Sequence, residues 1–352
     1  MADQQVADTE LADTQVAAEF GGERADQDFL LATDRYRREL MAHCYRMLGS
    51  VHDAEDLVQE TYLRAWRAYQ GFEGRSSLRT WLYRIATNAC LNALDSRSRR
   101  PLPTGLGSPS SDADDPLVSQ PEVPWLEPVP DALIDAGQTD PAAIVVSREG
   151  IRLALIAALQ HLPPRQRAVL VLREVLRMPA AEVAAVLETS TVAVNSSLQR
   201  ARAQLEQAHP TAEEVVEPSD PLVRARLDQY VQALQDKDIN AIVQLFTADA
   251  IWEMPPFTGW YQGRDQIGRL IDVRCPAGPG ELRLVPVRAN GQPAFAVYLL
   301  EEDGDWHAFQ LHVLSVGRAG INHVAAFFDV SLYERFGLPL VLPGRPPAQG
   351  GA

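Results

Sequence analysis

The sequence predicts a multidomain protein: two all-α units followed by an α+β unit with a curved antiparallel sheet. Three observations carry this. Apolar residues recur at helical spacing within residues 28–100 and again within 147–207. Residues 282–329 instead alternate apolar and polar, with the tight-turn pairs Asn290-Gly291 and Asp303-Gly304 between the runs. Between the helical blocks lies a Pro/Ser/Gly/Asp-rich spacer. At 352 residues the chain exceeds one typical domain of roughly 100–200.

The first helix is expected over about Asp28–Leu48, with Phe29, Tyr36, Leu40, Cys44 and Leu48 on one face and Gly49 ending it. A second spans Asp53–Tyr69, with Asp53 as N-cap and Leu57, Thr61, Ala65 and Tyr69 on one stripe. After the loop Gly71–Arg75, Ser76 caps a third helix reaching about Ser96. The spacer, 101–146, reads as a flexible tether, although Trp125 among prolines is expected to dock somewhere. Helices resume at Pro141–Leu159, Pro164–Leu176, Pro179–Leu187 and Thr191–Gln207. An acidic joint, 209–220, opens the last unit, 221–340, which starts with helices Leu222–Gln235 and Ile239–Phe246. Strands follow at Leu282–Arg288, Ala294–Leu300, Trp306–Val316 and Ile321–Asp329. Residues 1–26 and 341–352 are expected to be disordered tails.

No run of about 18 apolar residues predicts a membrane span. The opening MADQQVADTELADTQ lacks a basic-then-apolar leader, so the expected location is cytoplasmic. Cys44, Cys90 and Cys275 form no CxxC or Cys/His cluster, so neither a metal nor another cofactor is expected.

The net charge of −15 opposes nucleic-acid binding until it is mapped. Residues 27–100 hold twelve arginines against nine acids, and 147–208 hold eight against five. Residues 101–146 hold eight acids and no base. Two weakly basic islands provide little counterion-release affinity, so the free chain should bind DNA weakly and rely on a larger partner. In the third helix, Arg84 and Asn88 share a face, and Arg97, Arg99 and Arg100 crowd the C-terminal end. Asn and neighbouring aromatics suit unpaired bases, and arginines suit phosphates. A core helix with solvated arginines reads equally from composition. Residues 166–205 read as a helix-turn-helix whose last helix presents Thr191, Asn195, Ser196, Gln199, Arg200 and Arg202. A helical hairpin that touches no DNA is the alternative. Two reading units on one tether imply contact with two sites on a duplex.

Residues 28–100 and 147–207 resemble bacterial RNA polymerase sigma factors of the extracytoplasmic-function (ECF) class. The resemblance rests on Asp53–Trp66 (DAEDLVQETYLRAW), Thr80–Asn88 (TWLYRIATN), Leu162–Arg167 (LPPRQR) and Leu198–Arg202 (LQRAR). It implies sigma region 2 over 27–100 and sigma region 4 over 147–208, with core RNA polymerase (β and β′ subunits) and promoter DNA as partners. It implies docking on the β′ clamp through Asp53, Glu55, Asp56, Leu57, Gln59, Glu60 and Trp66. Opening of the −10 element falls to Phe72–Asn88, with Arg75, Arg79, Trp81, Arg84 and Asn88 on the DNA and Asn88 at a flipped base. The last helix reads the −35 major groove. The acidic linker is implied to thread the polymerase's basic template path, whereas plain solvation of a spacer would also explain its charge. One departure is Asn195-Ser-Ser197, where many relatives carry Lys-Ser-Arg; two positive charges are missing there. The other is length: about 140 extra residues, resembling a SnoaL-like cone domain. The phrase Trp125–Asp131 resembles the linker of subgroups bearing that extension, which commonly lack an anti-sigma protein and are thought to be modulated in cis.

Pocket candidates in the last unit are Trp252, Glu253, Trp260, Tyr261, His312 and Asp329. No acid–base constellation emerges, so a ligand-sensing or autoinhibitory module is expected rather than catalysis. A small-molecule ligand is a candidate partner. The rival is a small-molecule isomerase or cyclase fused to a DNA-binding repressor.

Overall fold

The computed structural model describes residues 27–95, 99–110, 112–135, 150–208 and 220–344. The expected tails at 1–26 and 345–352, Arg97, and the joint at 209–219 lie outside the described residues.

The first unit comprises residues 27–33 (α1), Arg37–Leu48 (α2), Val51–Ala68 (α3) and Leu78–Asp95 (α4). Gly49 ends α2 at φ +70°, and its N–H donates to the Tyr45 carbonyl. A Cβ there would lie 3.1 Å from the Gln160 amide, so glycine is needed for conformation and for close approach. The N-cap of α3 is Ser50, not Asp53: Ser50 Oγ accepts from the Asp53 N–H at 3.1 Å. Ser77 rather than Ser76 caps α4, accepting from the Thr80 N–H at 3.0 Å.

After a short turn of helix, Asp131–Ile134 (α5), the second helical unit contains Leu153–Leu159 (α6), Pro164–Leu170 (α7), Ala180–Val186 (α8) and Thr191–Ala208 (α9). The chain from α7 continues as a wider turn through Val175.

The third unit packs Pro221–Gln235 (α10), Ile239–Leu245 (α11) and Arg264–Arg274 (α12) against a seven-stranded sheet. Its strands are Phe246–Glu253 (β1), Trp260–Gln262 (β2), Leu282–Ala289 (β3), Gln292–Leu300 (β4), Trp306–Val316 (β5), Ile321–Phe327 (β6) and Val341–Leu342 (β7). The spatial order is β2-β1-β6-β5-β4-β3, with β7 on β5. The sheet is mixed: β1 runs parallel to β6, where the sequence predicts antiparallel pairing. That pairing follows from a long connection through β2, α12 and the β3–β5 meander, which returns the chain beside β1 in the same direction. Val341 and Leu342 also belong to the sheet rather than to a tail.

Two buried clusters form. One lies between the sheet's inner face and α10–α12 and includes Tyr230, Trp252 and Phe295. The other is continuous across all three units: Leu40 and Tyr45 of α2, Leu126 and Val129 of the spacer, Ile156 and Val171 of the second unit, and Ala294, Ala296 and Leu311 of the sheet. The expected flexible tether is therefore corrected for 99–110 and 112–135. It docks through its apolar residues: Leu126 and Val129 are fully buried, and Trp125 is half-buried, its indole N–H donating to the Gln120 carbonyl at 2.9 Å.

Burial holds two imidazoles far below their usual range. His43, beside Thr87 Oγ1 at 3.0 Å, is lowered to about 3, chiefly by burial and then by Arg46 and Arg79. His312 is lowered to about 3 by burial. Both stay neutral when folded but take a proton near pH 6.5 when unfolded, so the unfolded state binds more protons between pH 6.5 and 3. Stability is complete above pH 6.5 and falls as pH drops, by up to about 1.4 kcal/mol per pH unit per imidazole. Denaturant titrations from pH 7.5 to 5 should show this decline, and His43→Gln should reduce its slope.

Candidate nucleic-acid interface

The face of α4 is only partly open. Arg84 is exposed and Asn88 half-buried. Trp81 is buried and packs on Phe72, centroids 4.9 Å apart. Arg79 pairs with Glu39 at 2.8 Å and lies 4.9 Å over the Tyr83 ring. Arg75 is exposed beside Glu73. This helix packs on α7 and α8 of the second unit, where Thr80 Oγ1 lies 3.4 Å from Glu182. Arg99 and Arg100, expected on phosphates, are engaged internally. Arg99 meets His161 Nδ1 at 2.9 Å and the Gly105 carbonyl at 2.9 Å. Arg100 pairs with Asp53 at 2.6 Å and donates to the Trp125 carbonyl at 3.0 Å. The spacer folds back over the α2–α3 turn, where the Glu127 N–H donates to the Gly49 carbonyl at 3.0 Å, and its carbonyls hold both guanidinium groups.

The outer face of α9 is open. Thr191, Asn195, Gln199, Arg200 and Arg202 are exposed and Ser196 is half-buried, while Val194, Leu198 and Ala201 turn inward. Arg202 pairs with Glu174 at 2.6 Å, and Arg200 donates to Ser197 Oγ at 3.3 Å. A helix with one buried stripe and a polar outer face can enter a major groove.

On α3, Asp56 and Gln59 are exposed, Trp66 is 48% exposed and Leu57 is half-buried. Glu60 pairs with Arg64 at 2.6 Å. Asp53 is held by Arg100, and Glu55 pairs with Arg335 of Leu332–Arg335 (α13) in the third unit. The acidic face expected to dock is thus divided: part exposed, part engaged by Arg100 and by the third unit.

The three units meet at the β3–β4 turn. Asn290 (φ +56°) and Gly291 (φ +66°) form a tight turn in which both residues adopt the left-handed region. Asn290 is fully buried. Its Oδ1 accepts from the Val129 N–H at 3.0 Å; its Nδ2 donates to Tyr45 Oη at 2.8 Å and to the Ile151 carbonyl at 2.9 Å. Tyr45 Oη donates to the Glu127 carbonyl at 2.6 Å. Asp131 accepts from the Gly291 N–H at 2.7 Å and pairs with Arg288 at 3.1 Å. Gln292 accepts from the Leu153 N–H at 2.8 Å. Two buried arginines tie the helical units together: Arg46 donates to the Gly150 carbonyl at 2.8 Å, and Arg167 to the Met47 carbonyl and Gln160. Burial lowers both to about 10, leaving them cationic at neutral pH. Glu127 Oε2 accepts from Ser50 Oγ at 2.9 Å and from the Val51 N–H at 3.0 Å, finishing the N-terminus of α3.

The six pocket candidates separate. Trp252 and His312 line a cavity of about 260 Å³ in the third unit. Glu253, next to Trp252 on the strand, faces the opposite side, fully buried, at 2.7 Å from His323 and accepting from the Thr104 N–H at 3.0 Å. Trp260 donates to the Gly107 carbonyl at 3.0 Å. Tyr261 is buried outside the cavity lining, and burial raises its hydroxyl. Asp329 is exposed and accepts from the Ser331 N–H at 3.0 Å. The sequence reading missed Glu127, Arg46, Arg167, Asn290, Gln292 and Arg335. Only the Asn-Gly pair and the Trp125–Asp131 phrase signalled this junction, and nothing in their pattern says that they meet.

Three family models match: Sigma-70 region 2 over residues 33–100, Sigma-70 region 4 over 152–205 and the SnoaL-like domain over 227–331. The ECF RNA polymerase sigma factor SigG of Mycobacterium tuberculosis (strain ATCC 25618 / H37Rv) is 57% identical over 336 residues, covering 94% of this chain and 90% of SigG. SigJ of the same strain is 33% identical over 243 residues, covering 67% of this chain and 69% of SigJ. The crystal structure of Mycobacterium tuberculosis SigJ matches with a TM-score of 0.58 at 25% identity, covering 86% of this chain and 97% of that one. With both sigma regions on helical units and a SnoaL-like unit on the mixed sheet, the chain belongs to the ECF RNA polymerase sigma factors, which direct promoter recognition and transcription initiation.

Proposed function

We propose that the SnoaL-like domain holds this sigma factor closed in cis, and that the closed form must open before it engages a promoter fully. The working units are residues 27–100, 147–208 and 221–340. Asp53, Glu55, Asp56, Leu57, Gln59, Glu60 and Trp66 dock on the β′ clamp. Arg75, Arg79, Trp81, Arg84 and Asn88 act at the −10 element, and Thr191, Asn195, Ser196, Gln199, Arg200 and Arg202 at the −35 element. The protein acts where polymerase acts, in the cytoplasm. Elements separated by roughly 25 base pairs lie about 85 Å apart on B-DNA at about 3.4 Å per base pair. Direct packing of α4 on α7 and α8 is incompatible with that span.

The observation that carries the reading is the Asn290 amide, which satisfies groups of region 2, the linker and the start of region 4 together. Opening breaks these bonds, and polymerase binding compensates by capturing the acidic face of α3. Arg335 on Glu55 adds direct competition for that face. Once released, the acidic linker is free to enter a basic channel. A binding role for the third domain is favoured over catalysis because the described cavity lining contains no carboxylate and its histidine is neutral.

Run-off transcription with core polymerase tests the closed form. Truncation after residue 208 and Asn290→Ala should each raise promoter-specific transcript by at least about fivefold at limiting sigma factor. Both chains should still co-purify with core enzyme; loss of co-purification in the truncated chain contradicts the role assigned to the SnoaL-like domain. Unchanged transcription in both contradicts the closure.

Asn88→Ala should reduce open-complex formation by about tenfold while leaving closed-complex affinity within about twofold, since a base-stacking or base-reading contact is made only after strand opening. Permanganate footprinting at the −10 element distinguishes the two steps, and equal loss at both removes Asn88 from base reading.

A further inference from the structure

The cavity of the SnoaL-like domain is not closed by that domain alone. Leu117, from the linker between the two sigma regions, lines it beside Trp252, Phe309 and His312. Ser110 and linker residues 112–120 lie across this end of the domain as a strap. The Ser110 N–H donates to the Trp260 carbonyl at 2.7 Å, the Thr258 N–H to the Val118 carbonyl at 3.0 Å and the Gln120 N–H to the Pro256 carbonyl at 2.9 Å. Ala113 is fully buried. Arg274, also on the cavity wall, donates to the carbonyls of Ala113 at 2.9 Å, Asp114 at 2.6 Å and Asp115 at 2.9 Å. Arg269 pairs with Asp114. The strap is therefore held by backbone pairing and by two arginines, and it contributes one apolar side chain to the cavity.

The lining is predominantly apolar, with polar groups of one kind. The Trp252 indole N–H is buried and has no hydrogen-bond partner among the described residues. His312 accepts from Tyr230 Oη at Nδ1 (2.9 Å) and donates from Nε2 to Gln310 Oε1 (2.7 Å), which leaves the Gln310 amide N–H2 as a donor. Arg274 is occupied by the strap. Two neutral donors in an apolar enclosure select an uncharged molecule that supplies an acceptor.

We propose that this cavity binds an uncharged, mainly apolar small molecule bearing a carbonyl or similar acceptor, and that linker residues 113–120 are its lid. Occupancy and seating of the linker are then linked: an occupant that fits under Leu117 adds contacts to the strap and holds it down. By reciprocity, whatever the strap contributes to ligand affinity the ligand returns to strap seating. This deepens the reading of control in cis, because the lid is the same chain segment that joins regions 2 and 4. A molecule too large for the enclosed space displaces Leu117 and has the opposite effect.

The test uses the full chain with 1-tetralone, a bicyclic ketone, and tetralin, its hydrocarbon counterpart, as probes. Calorimetric titration should give binding of 1-tetralone about tenfold tighter than tetralin. Trp252→Phe should remove most of that difference, and Leu117→Ala should weaken both compounds by about tenfold, a change of about 1.4 kcal/mol. In the unmodified chain, saturating 1-tetralone should slow amide exchange of Thr258 and Gln120 at least fivefold. Failure of 1-tetralone to bind overturns the site. Binding that leaves those amides and the Leu117→Ala chain unaffected overturns the lid. Activation of transcription by Asn290→Ala without any ligand is read separately, so control in cis stands or falls independently of these outcomes.

Discussion

A single buried amide at the tip of a β-turn organises the molecule. Asn290 reaches out of the SnoaL-like sheet and completes hydrogen bonds for Val129, Tyr45 and Ile151, residues of the linker, region 2 and the approach to region 4. Each partner group, left buried and unpaired, costs about 1–3 kcal/mol, so partial disengagement is unfavourable. Full separation is different, because water then satisfies every group. Such a junction favours two discrete arrangements, joined or apart, over a continuum of loosened ones. The small residues of the adjoining sheet face, Ala289, Ala294 and Ala296, let the turn and strand approach closely.

The linker gives the closed form its electrostatic logic. With eight acids and no base in 101–146, it neutralises arginines on both sides. Arg100 of region 2 is held by Asp53 and lies 3.5 Å from Glu127, while Arg269 and Arg274 of the third domain hold the stretch around Asp114. Under the proposed closure, groups assigned to phosphate or polymerase are thereby occupied within the chain. Exposed members of these pairs contribute little stability individually. In the proposed opening their effect is competition: Asp53 and Glu55 exchange Arg100 and Arg335 for polymerase. The α9 face stands apart from this scheme, since Thr191, Asn195, Gln199, Arg200 and Arg202 remain exposed.

Much of this was legible in the sequence, for identifiable reasons. Helical periodicity located α3 and α9 because each buries one face, and it located α2 although Leu40–Leu48 are buried on every side. Alternation holds for β3, whereas β4 to β6 carry long buried runs because both sheet faces are covered. The caps shifted from Asp53 to Ser50 and from Ser76 to Ser77 because several capping residues stand in a row and local preference does not choose among them. Helix Arg264–Arg274 was missed; only Ile267, Leu270, Ile271 and a buried glycine mark its inner face. The linker defeated composition altogether, since proline and aspartate look alike whether solvated or docked. Buried Arg46 and Arg167 were equally hidden, because their partners, apart from the Gln160 amide on Arg167, are backbone carbonyls, which leave no trace in side-chain pattern. In the pocket, strand alternation alone separates Trp252 from Glu253, yet which face holds the cavity depends on where the helices pack.

Proximity of regions 2 and 4, held by the third domain, is the central feature of the proposed closure, and a distance reports it most directly. Spin labels at Arg67→Cys on α3 and Ala203→Cys on α9, both exposed positions, in a Cys275→Ser chain would be read by double electron–electron resonance. The free chain should give one narrow, short distribution that lengthens by tens of ångströms on core polymerase and broadens in Asn290→Ala. A free chain that already populates the long distance, or an Asn290→Ala chain indistinguishable from it with polymerase absent, would contradict the account.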